Sequence, residues 1–186
     1  MELPIINHPD YVAKINDDNK FPIKKFGALA NHLLEKKVVK TFYVPEPCSV
    51  ETMKTSHSLE YINHIKNKTL DLKYQKKIGF PINDSVVRRS FVATGGTVLA
   101  SKLALDAKLA CNTAGGSHHA TFEMGAGYCV FNDVAVAANY LKNKKYAKKI
   151  LILDLDVHQG NGNSEIFKKD RDVLTFSMHC ASNYPA

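Results

Sequence analysis

The sequence predicts an α/β domain with a mostly parallel sheet and helices on both of its faces. Short runs of Val, Ile and Leu are typical of strands buried in a parallel sheet. Longer stretches carry apolar side chains every three or four residues, which is typical of helices with one buried face. The two patterns alternate along 186 residues without repeats or linkers, and such alternation favours a parallel sheet. A chain of this length fits one domain.

In the first half of the chain, the pattern predicts strands at 3–7 and 41–44 and helices at 24–37, 49–54 and 58–66. Pro45 and Pro47 close the second strand, because proline cannot continue a sheet ladder. The first helix has one apolar face, formed by Phe26, Leu29, Ala30, Leu33 and Leu34. Ser58 is a suitable first cap for the third helix. Residues 70–84 show neither period and are predicted to be a loop.

In the second half, the pattern predicts strands at 108–111, 149–153 and 173–178 and helices at 85–105, 133–141 and 163–169. The helix at 85–105 keeps its apolar spacing despite Gly95-Gly96, and glycines at such positions indicate tight packing against a neighbour. The helix at 133–141 is rich in Ala and Val. The strands at 149–153 and 173–178 are nearly continuous apolar runs.

Polar side chains follow the strand at 149–153. Alternate residues of an extended chain point the same way, which predicts that Asp154, Asp156 and His158 share one face. Two carboxylates and an imidazole are costly to bury together unless a partner offsets their desolvation. A divalent metal does so, and these oxygen and nitrogen donors suit zinc or ferrous iron. A strand end closed by a structural hydrogen-bond network is the alternative.

Two adjacent histidines, His118 and His119, follow Gly115-Gly116 and the apolar run at 108–111. This order predicts a loop at the C-terminal end of a strand, where open α/β sheets place their sites. Histidine is the side chain best suited to proton transfer near neutral pH. A surface loop or a core pair is the alternative, but a second strand end that carries carboxylates favours a general base and its neighbour.

Three segments together resemble the catalytic-core motifs of histone deacetylases and their bacterial relatives. They are Gly-Gly-Ser-His-His-Ala at 115–120, Gly-Ala-Gly-Tyr-Cys-Val-Phe-Asn-Asp at 125–133 and Asp-Leu-Asp-Val-His-Gln-Gly-Asn-Gly at 154–162. Gln159 and Asn161 are similar to the class IV branch, as is the segment 88–97. The resemblance extends over the whole chain and implies the arginase/deacetylase fold.

The resemblance implies a role for each matching residue of the catalytic centre. Asp156 and His158 match two of the family's three zinc ligands. His118 and His119 match its tandem histidines, with His119 as the base for metal-activated water. Asp154 matches the acid that orients His118. The family chemistry is removal of an acyl group from an amine by hydrolysis.

The resemblance also implies a substrate tunnel and a second ion. Gly127 and Tyr128 match the backbone contact and the aromatic wall of the acyl-lysine tunnel. A structural monovalent cation, K⁺, is implied at Asp154, Asp156, His158, Ser177 and Met178. Asn161 stands where most members have an aspartate beside the base. Because an amide cannot stabilise an imidazolium as a carboxylate does, we expect a less basic His119.

The chain departs from the family pattern near its end. The family's third zinc ligand, an aspartate, and its oxyanion tyrosine lie beyond the last matched segment. Neither Glu165, Asp170, Asp172 nor Tyr184 matches them. We therefore expect 1–186 to be a single incomplete deacetylase-like catalytic domain that lacks its C-terminal part. We also expect that the natural chain continues and that this part is inactive alone. An unpaired strand edge and a bare apolar face predict poor solubility or a molten state.

The function expected from these residues is that of a zinc-dependent deacetylase of acylated lysine or a similar amine. One alternative is a deacetylase of small acetylamines such as acetylpolyamines, which would share the motifs. Another is a non-catalytic remnant that binds an acylated amine or a metal. The motifs do not distinguish the acyl group or its carrier.

Composition narrows the choice of compartment and partner. The net charge of +7 comes from 25 Lys and Arg against 18 Asp and Glu, but the lysine runs lie at helix ends and lack the interleaved aromatics of a nucleic-acid platform. No apolar run approaches the length of a membrane span, and the first residues lack the pattern of a secretory signal. We therefore expect a cytoplasmic protein that binds neither nucleic acid nor membrane. Four cysteines without CxxC spacing suggest neither a zinc ribbon nor a disulfide framework.

Overall fold

The structure, a computed structural model, describes residues 3–185. Within that range, the helices are α1 (Lys25–Glu35), α2 (Val50–Met53), α3 (Leu59–Lys66), α4 (Leu72–Ile78), α5 (Asp84–Ala107), α6 (Asp133–Asn143) and α7 (Asn161–Phe167). The strands are β1 (Ile5–Ile6), β2 (Cys111–Asn112), β3 (Ile150–Asp154) and β4 (Val173–Ser177). A single 3₁₀ turn spans Pro9–Tyr11. No helix in this range is long and apolar enough to cross a membrane.

All pairing between these strands is parallel, as the alternation of strands and helices predicts. β1 pairs with β2, and β3 pairs with β4 from Ile150–Val173 to Asp154–Ser177. The predicted strand at 41–44 is reduced to one bridge, in which Tyr43 lies beside Ile6. Parallel strands end at the same edge, so the register places Asp154 beside Ser177 at the carboxyl end of β3 and β4.

The long helix α5 organises the larger of two apolar cores. Val86 and Val92 of this helix are buried and pack in one cluster with Met53, Ile62 and Phe131. The glycine pair at 95–96 lies where neighbouring chain comes closest. A Cβ atom at Gly95 would meet the backbone of Glu46, and one at Gly96 would meet the hydroxyl group of Tyr11. The tight packing that the sequence predicts is therefore present.

The smaller core lies under one face of β3 and β4. Ile152 and Val173 pack there against Ala135 and Ala138 of α6 and Phe167 of α7. The opposite face is bare, with exposed fractions of 58% for Leu151, 57% for Leu153, 68% for Leu174 and 46% for Phe176. Within residues 3–185, this strand pair is therefore covered by helices on one face only, whereas the sequence predicts cover on both.

The prediction of a loop at 70–84 is wrong, because α4 lies within it. Asp71 caps this helix by accepting a hydrogen bond from the amide of Lys73 at 2.9 Å. Gly79 ends the helix in the left-handed region, with φ of 85°. An aspartate before the helix and a glycine after it were the signals available in the sequence. The helix is short and carries only one buried residue, Ile78, so its apolar period is weak.

The bare face of β3 and β4 predicts that the chain self-associates. Leu151 and Leu174 are neighbours in the ladder, so replacing them as Leu151→Lys with Leu174→Glu places opposite charges across the pair. We expect this double variant to lower self-association in sedimentation velocity, because a large exposed apolar patch drives it. Both side chains are exposed, so the free energy of unfolding changes by no more than about 0.5 kcal/mol.

Leu72→Lys with Leu109→Glu is the matched control, because these two leucines are 71% and 62% exposed and belong to neither β3 nor β4. The control keeps the same net charge and should associate like the parent chain. Equal association of both double variants would show that the strand face is not the surface responsible.

Candidate active site

Two loops meet at the carboxyl edge of the strands. The histidine loop, which contains His118 and His119, follows β2. The acidic loop, which contains Asp156 and His158, follows β3 and leads into α7. The first turn of α7 joins them, because the amides of Gly162 and Asn163 donate hydrogen bonds to the carbonyl group of His118 at 2.9 and 3.3 Å. A Cβ atom at Gly162 would lie 2.5 Å from that carbonyl oxygen. A glycine is needed there for the loops to approach this closely.

Each of the two adjacent histidines is held through its Nδ1 atom by a different partner. The Nδ1 atom of His118 lies 2.6 Å from Oδ2 of Asp154. The Nδ1 atom of His119 lies 2.7 Å from Oδ1 of Asn161, so the ring donates there and its Nε2 atom stays free to accept a proton. The two rings lie 4.1 Å apart and both residues are buried. The structure thus brings together the four residues predicted to be catalytic.

The environment of His119 makes its ring a weak base. Burial is the main cause that lowers the pKa of His119, and the neighbouring His118 and His158 act in the same direction. The hydrogen bond with Asn161 and the charge of Asp156 act to raise this pKa but do not outweigh burial. The ring is therefore neutral near pH 7, which is the form that accepts a proton.

The backbone geometry that places Asp156 and His158 in the site differs from the predicted one. β3 ends at Asp154, so strand alternation does not continue to His158. Two successive turns bend the chain instead: the amide of Asp156 donates to Oδ1 of Asp154 at 3.1 Å, and the amide of His158 donates to Oδ1 of Asp156 at 2.8 Å. Aspartate side chains commonly bond to backbone two residues on. The three side chains still converge on one place.

These side chains have the donor atoms and spacing of a metal site. Nδ1 of His158 lies 2.8 Å from Oδ1 of Asp156, and Nε2 of His118 lies 3.7 Å from the same oxygen. Ring nitrogens of His118, His119 and His158 lie within 4.8 Å of one another. Burial acts to raise the pKa of Asp156, but hydrogen bonds from His158 and the nearby imidazoles together lower it. Imidazole nitrogen and ionised carboxylate are donors that suit zinc or ferrous iron.

Two ligand sets are geometrically available, and they share His158. One contains Asp156 and His158, and the other consists of the three imidazoles. We favour the first set because Asp154 and Asn161 already orient His118 and His119, an arrangement that suits bases. The Asp156 carboxylate also supplies the negative charge that offsets the charge of a divalent ion.

A cavity of about 620 Å³ opens above these groups. Gly127 and Tyr128, the predicted tunnel residues, both line it. Tyr184 lines it too, with its ring 4.8 Å from the ring of His119 in an edge-on arrangement. Tyr184 was not predicted to line the cavity, because it does not match the family's oxyanion tyrosine. Its position after β4, at the same edge as the histidines, was the signal available.

Of the five residues predicted to hold a monovalent cation, Asp156 and His158 belong to this centre, and the other three lie at the carboxyl end of β3 and β4. The amide of Met178 donates to the carbonyl group of Asp154 at 3.0 Å. The hydroxyl group of Ser177 accepts from the amide of Gly160 at 3.1 Å and lies 3.0 Å from Nδ1 of His179. Asp154, Ser177 and Met178 are therefore adjacent across β3 and β4, and the contact with His179 was not predicted.

A buried polar network under the histidine loop was also missed. The amide of Asn132 donates to Nε2 of His57 at 2.9 Å, and the side-chain amide of Asn132 donates to Oδ1 of Asn163 at 2.8 Å. The side-chain amide of Asn163 lies 3.4 Å from Oδ2 of Asp154. These residues connect the loop at 129–132 to the carboxylate that holds His118. Isolated polar residues in apolar surroundings were the only signal in the sequence.

The chain belongs to the histone deacetylase family. The model of the histone deacetylase domain matches residues 20–186, which is most of the chain. The predicted family and the arginase/deacetylase fold are both confirmed by these comparisons and by the solved structures below.

Relatives in bacteria and plants share this domain. An uncharacterized protein of Picosynechococcus sp. is 43% identical over 188 residues, which cover 100% of this chain and 63% of the relative. The acetoin utilization protein AcuC of Staphylococcus aureus is 30% identical and is matched over 81% of this chain and 40% of its own length. Histone deacetylase 2 of Arabidopsis thaliana is 28% identical over 89% of this chain and 45% of its own length.

Solved structures show the same fold. A histone deacetylase homologue from Aquifex aeolicus superimposes with a TM-score of 0.84 at 27% identity, covering 100% of this chain and 53% of that chain. A homologue in complex with SAHA gives a TM-score of 0.84 at 26% identity and also covers 53% of that chain. The chain therefore spans between 40% and 63% of the length of these relatives.

The buried His57 predicts that the fold loses stability in acid. Burial lowers the pKa of His57 from 6.5 to about 4. The unfolded chain therefore binds a proton at a higher pH than the folded chain does, and the free energy of unfolding falls as pH decreases from 6.5 to 4. The loss amounts to at most roughly 3 kcal/mol. Above pH 6.5 this residue contributes no pH dependence.

Urea unfolding at a series of pH values measures this loss. A His57→Gln variant should flatten the dependence between pH 6.5 and 4, whereas His32→Gln, at an exposed position on α1, should keep it. If both variants keep the parent slope, His57 is not the residue that titrates on unfolding.

The neutral partner of His119 predicts the effect of adding a charge. Asn161→Asp should raise the pKa of His119, because a carboxylate beside an imidazole favours its protonated form. Titration of the ring resonances in the metal-free chain by NMR measures this pKa. Asn143→Asp, at the exposed end of α6, is the control and should leave it unchanged. An unshifted pKa in the first variant would contradict direct contact between residues 119 and 161.

Proposed function

We propose that this chain forms the part of a metal-dependent deacetylase that carries its general bases and two of its metal ligands. The reaction is hydrolysis of the amide that joins an acyl group to a lysine side chain or a similar amine. The observation that supports this most strongly is one cavity lined by His118, His119, Asp156 and His158, in which two oriented bases lie beside two metal donors. Membership of the histone deacetylase family supports the same reaction.

In this proposal, Asp156 and His158 hold zinc or ferrous iron. When bound, the ion would act as a Lewis acid and lower the pKa of water. Among residues 3–185, Glu165, Asp170 and Asp172 do not line the cavity, and Asp170 is paired with Lys142. We therefore propose that 1–186 forms a single incomplete domain with weak metal affinity and no turnover on its own. A site with two protein ligands is weaker than the three-ligand catalytic site.

The two histidines divide the proton transfers between them. His119 is neutral, its Nδ1 atom is held by Asn161, and its free Nε2 atom accepts the proton of the attacking water. His118 lies against the carboxylate of Asp154, which holds its ring through Nδ1, and the proton taken from water is returned through these two imidazoles to the leaving amine. Two adjacent imidazoles, one held by a carboxylate and the other by an amide, are an arrangement that suits acid and base roles. Asn161 and Gln159 further support a place in the class IV branch.

The substrate would enter along the aromatic side of the cavity. We propose that Tyr128 and Tyr184 contact the aliphatic part of an acyl-lysine chain and that Gly127 allows its backbone to approach. A Cβ atom at Gly127 would lie 2.6 Å from the His119 ring and 3.0 Å from the ring of Tyr184. There is thus no room for a side chain between these rings.

Asp154, Asp156, His158, Ser177 and Met178 would hold the structural K⁺ that the family resemblance implies. The adjacency of Asp154 and Ser177 in the β3–β4 register supports this. The ion would neutralise the carboxyl end of the strands and help to fix the acidic loop.

Metal binding followed by ligand binding tests the proposal on the 186-residue chain. We expect zinc to bind in isothermal titration calorimetry, and we expect SAHA, the ligand of a structural neighbour, to bind only when zinc is present. Asp156→Asn and His158→Ala should each weaken zinc binding at least tenfold, because each removes a ligand. His64→Ala, at a position outside the cavity, should bind zinc and SAHA like the parent.

Circular dichroism of each variant establishes that it is folded. Zinc binding that survives both site substitutions would contradict the proposed ligands. SAHA binding that is independent of zinc would contradict the proposed reaction class.

A further inference from the structure

Charged side chains around the catalytic cavity are almost all positive. Lys25, Lys76, Lys77 and Arg89 line it, and the one carboxylate that lines it within residues 3–185 is Asp156. Asp156 lies beside His118 and His158, at the part of the cavity here called its floor, where the proposed metal would neutralise it. The other charged lining residues are all cations, and we call them the cationic entrance.

One of these lysines, Lys77, is hydrogen-bonded directly to the tunnel residues. The carbonyl group of Lys77 accepts a hydrogen bond from the amide of Gly127 at 3.0 Å, and the carbonyl group of Ile78 accepts one from the amide of Tyr128 at 2.6 Å. The C-terminal end of α4 is thus attached to the residues that line the tunnel. Lys76 and Lys77 are exposed beside this attachment.

The other two cations, Lys25 and Arg89, belong to α1 and α5. Nζ of Lys25 lies 4.8 Å from the ring centroid of Phe21, whose own centroid lies 5.0 Å from that of Tyr128. Arg89 is 8% exposed, donates from Nε to the carbonyl group of Tyr11, and stacks 4.8 Å from the ring centroid of Phe26. Aromatic rings thus fix both cations near the wall of the cavity.

Most of this positive charge is not paired with a neighbouring carboxylate. Lys25, Lys76 and Lys77 form no ion pair with a described carboxylate within 4.0 Å. The buried Asp133 acts on Arg89, so the guanidinium is partly balanced. A divalent ion on the floor would add positive charge. Like charges brought into such a cavity repel, and opposite charges are attracted within about 10 Å at ordinary salt.

We propose that the acylated amine is a lysine in an acidic peptide segment, with Asp or Glu beside it. This inference rests on the proposed deacylase function and names its substrate class. Carboxylates flanking the acyl-lysine would lie against the lysines at the end of α4 while the neutral acyl chain enters between the tyrosines. An acylated polyamine keeps free ammonium groups and a basic peptide keeps lysines or arginines, so both meet like charge at the entrance.

Fluorescence anisotropy with matched peptides tests this on the zinc-supplemented 186-residue chain. Three labelled peptides carry one central acetyl-lysine with acidic, neutral or basic flanks, and a fourth has acidic flanks and unacetylated lysine. We expect the acidic acetylated peptide to bind at least about tenfold more tightly than the basic one, and the difference to shrink in high salt.

Charge variants test whether Lys76 and Lys77 cause the preference for acidic flanks. Lys76→Glu with Lys77→Glu should reverse the preference, and Lys76→Gln with Lys77→Gln should give an intermediate result. Lys144→Glu with Lys145→Glu changes the charge by the same amount at exposed lysines after α6, outside the cavity, and should keep the parent preference. A graded response at 76 and 77 that is missing at 144 and 145 does not arise from unfolding or from net charge alone.

The outcomes separate this inference from the proposed function. If acetylated peptides bind regardless of their flanks, the acidic-substrate inference is overturned while the deacylase proposal stands. If acidic peptides bind equally with and without the acetyl group, the surface binds anions and the deacylase proposal loses its support. Tighter binding of the basic peptide or of an acetylated polyamine overturns the inference directly.

Discussion

The carboxylate of Asp154 is the contact on which the rest of the site depends. Its Oδ2 atom lies 2.6 Å from Nδ1 of His118, and its Oδ1 atom accepts a hydrogen bond from the amide of Asp156 at 3.1 Å. The backbone carbonyl group of Asp154 accepts a hydrogen bond from the amide of Met178 at 3.0 Å. One residue therefore joins the histidine loop, the acidic turn and β4. A carboxylate has enough lone pairs to do this, and a buried one must be bonded in this way to offset its desolvation.

The contrast between Asp154 and Asn161 distinguishes the two adjacent histidines. Both rings are held through Nδ1, one by a carboxylate and the other by a neutral amide. Burial lowers the pKa of His119, and the hydrogen bond with Asn161 does not outweigh it. The two rings therefore differ in the group that orients them, which is the basis of the different roles proposed for them.

Much of the fold followed from the sequence because its signals are local. The period of α5, the glycines at 95–96 and the apolar runs of β3 and β4 all predicted elements that are present. The helix at 72–78 was missed because its apolar face is small, although Asp71 and Gly79 mark its ends. Asp154, Asp156 and His158 were placed together for the wrong geometric reason, since turns held by aspartates bring them there rather than strand alternation.

The contacts that the sequence did not reveal are those between distant segments. Nothing local to Asn132 or Asn163 indicates that their amides meet and connect to Asp154, because 31 residues separate the first two. The edge-on contact of Tyr184 with His119 and the attachment of α4 to the tunnel residues likewise depend on tertiary packing. The cationic entrance arises in the same way, since its four cations come from α1, α4 and α5.

Anomalous diffraction from a zinc-loaded crystal of this chain tests the central claim most directly, because it locates the ion and its donors together. We expect a single strong site about 2.0–2.3 Å from the carboxylate of Asp156 and from Nδ1 of His158, with the Nε2 atom of His119 left free. Zinc held instead by the three imidazoles of His118, His119 and His158 would occupy both oriented histidines and contradict the proposed ligands.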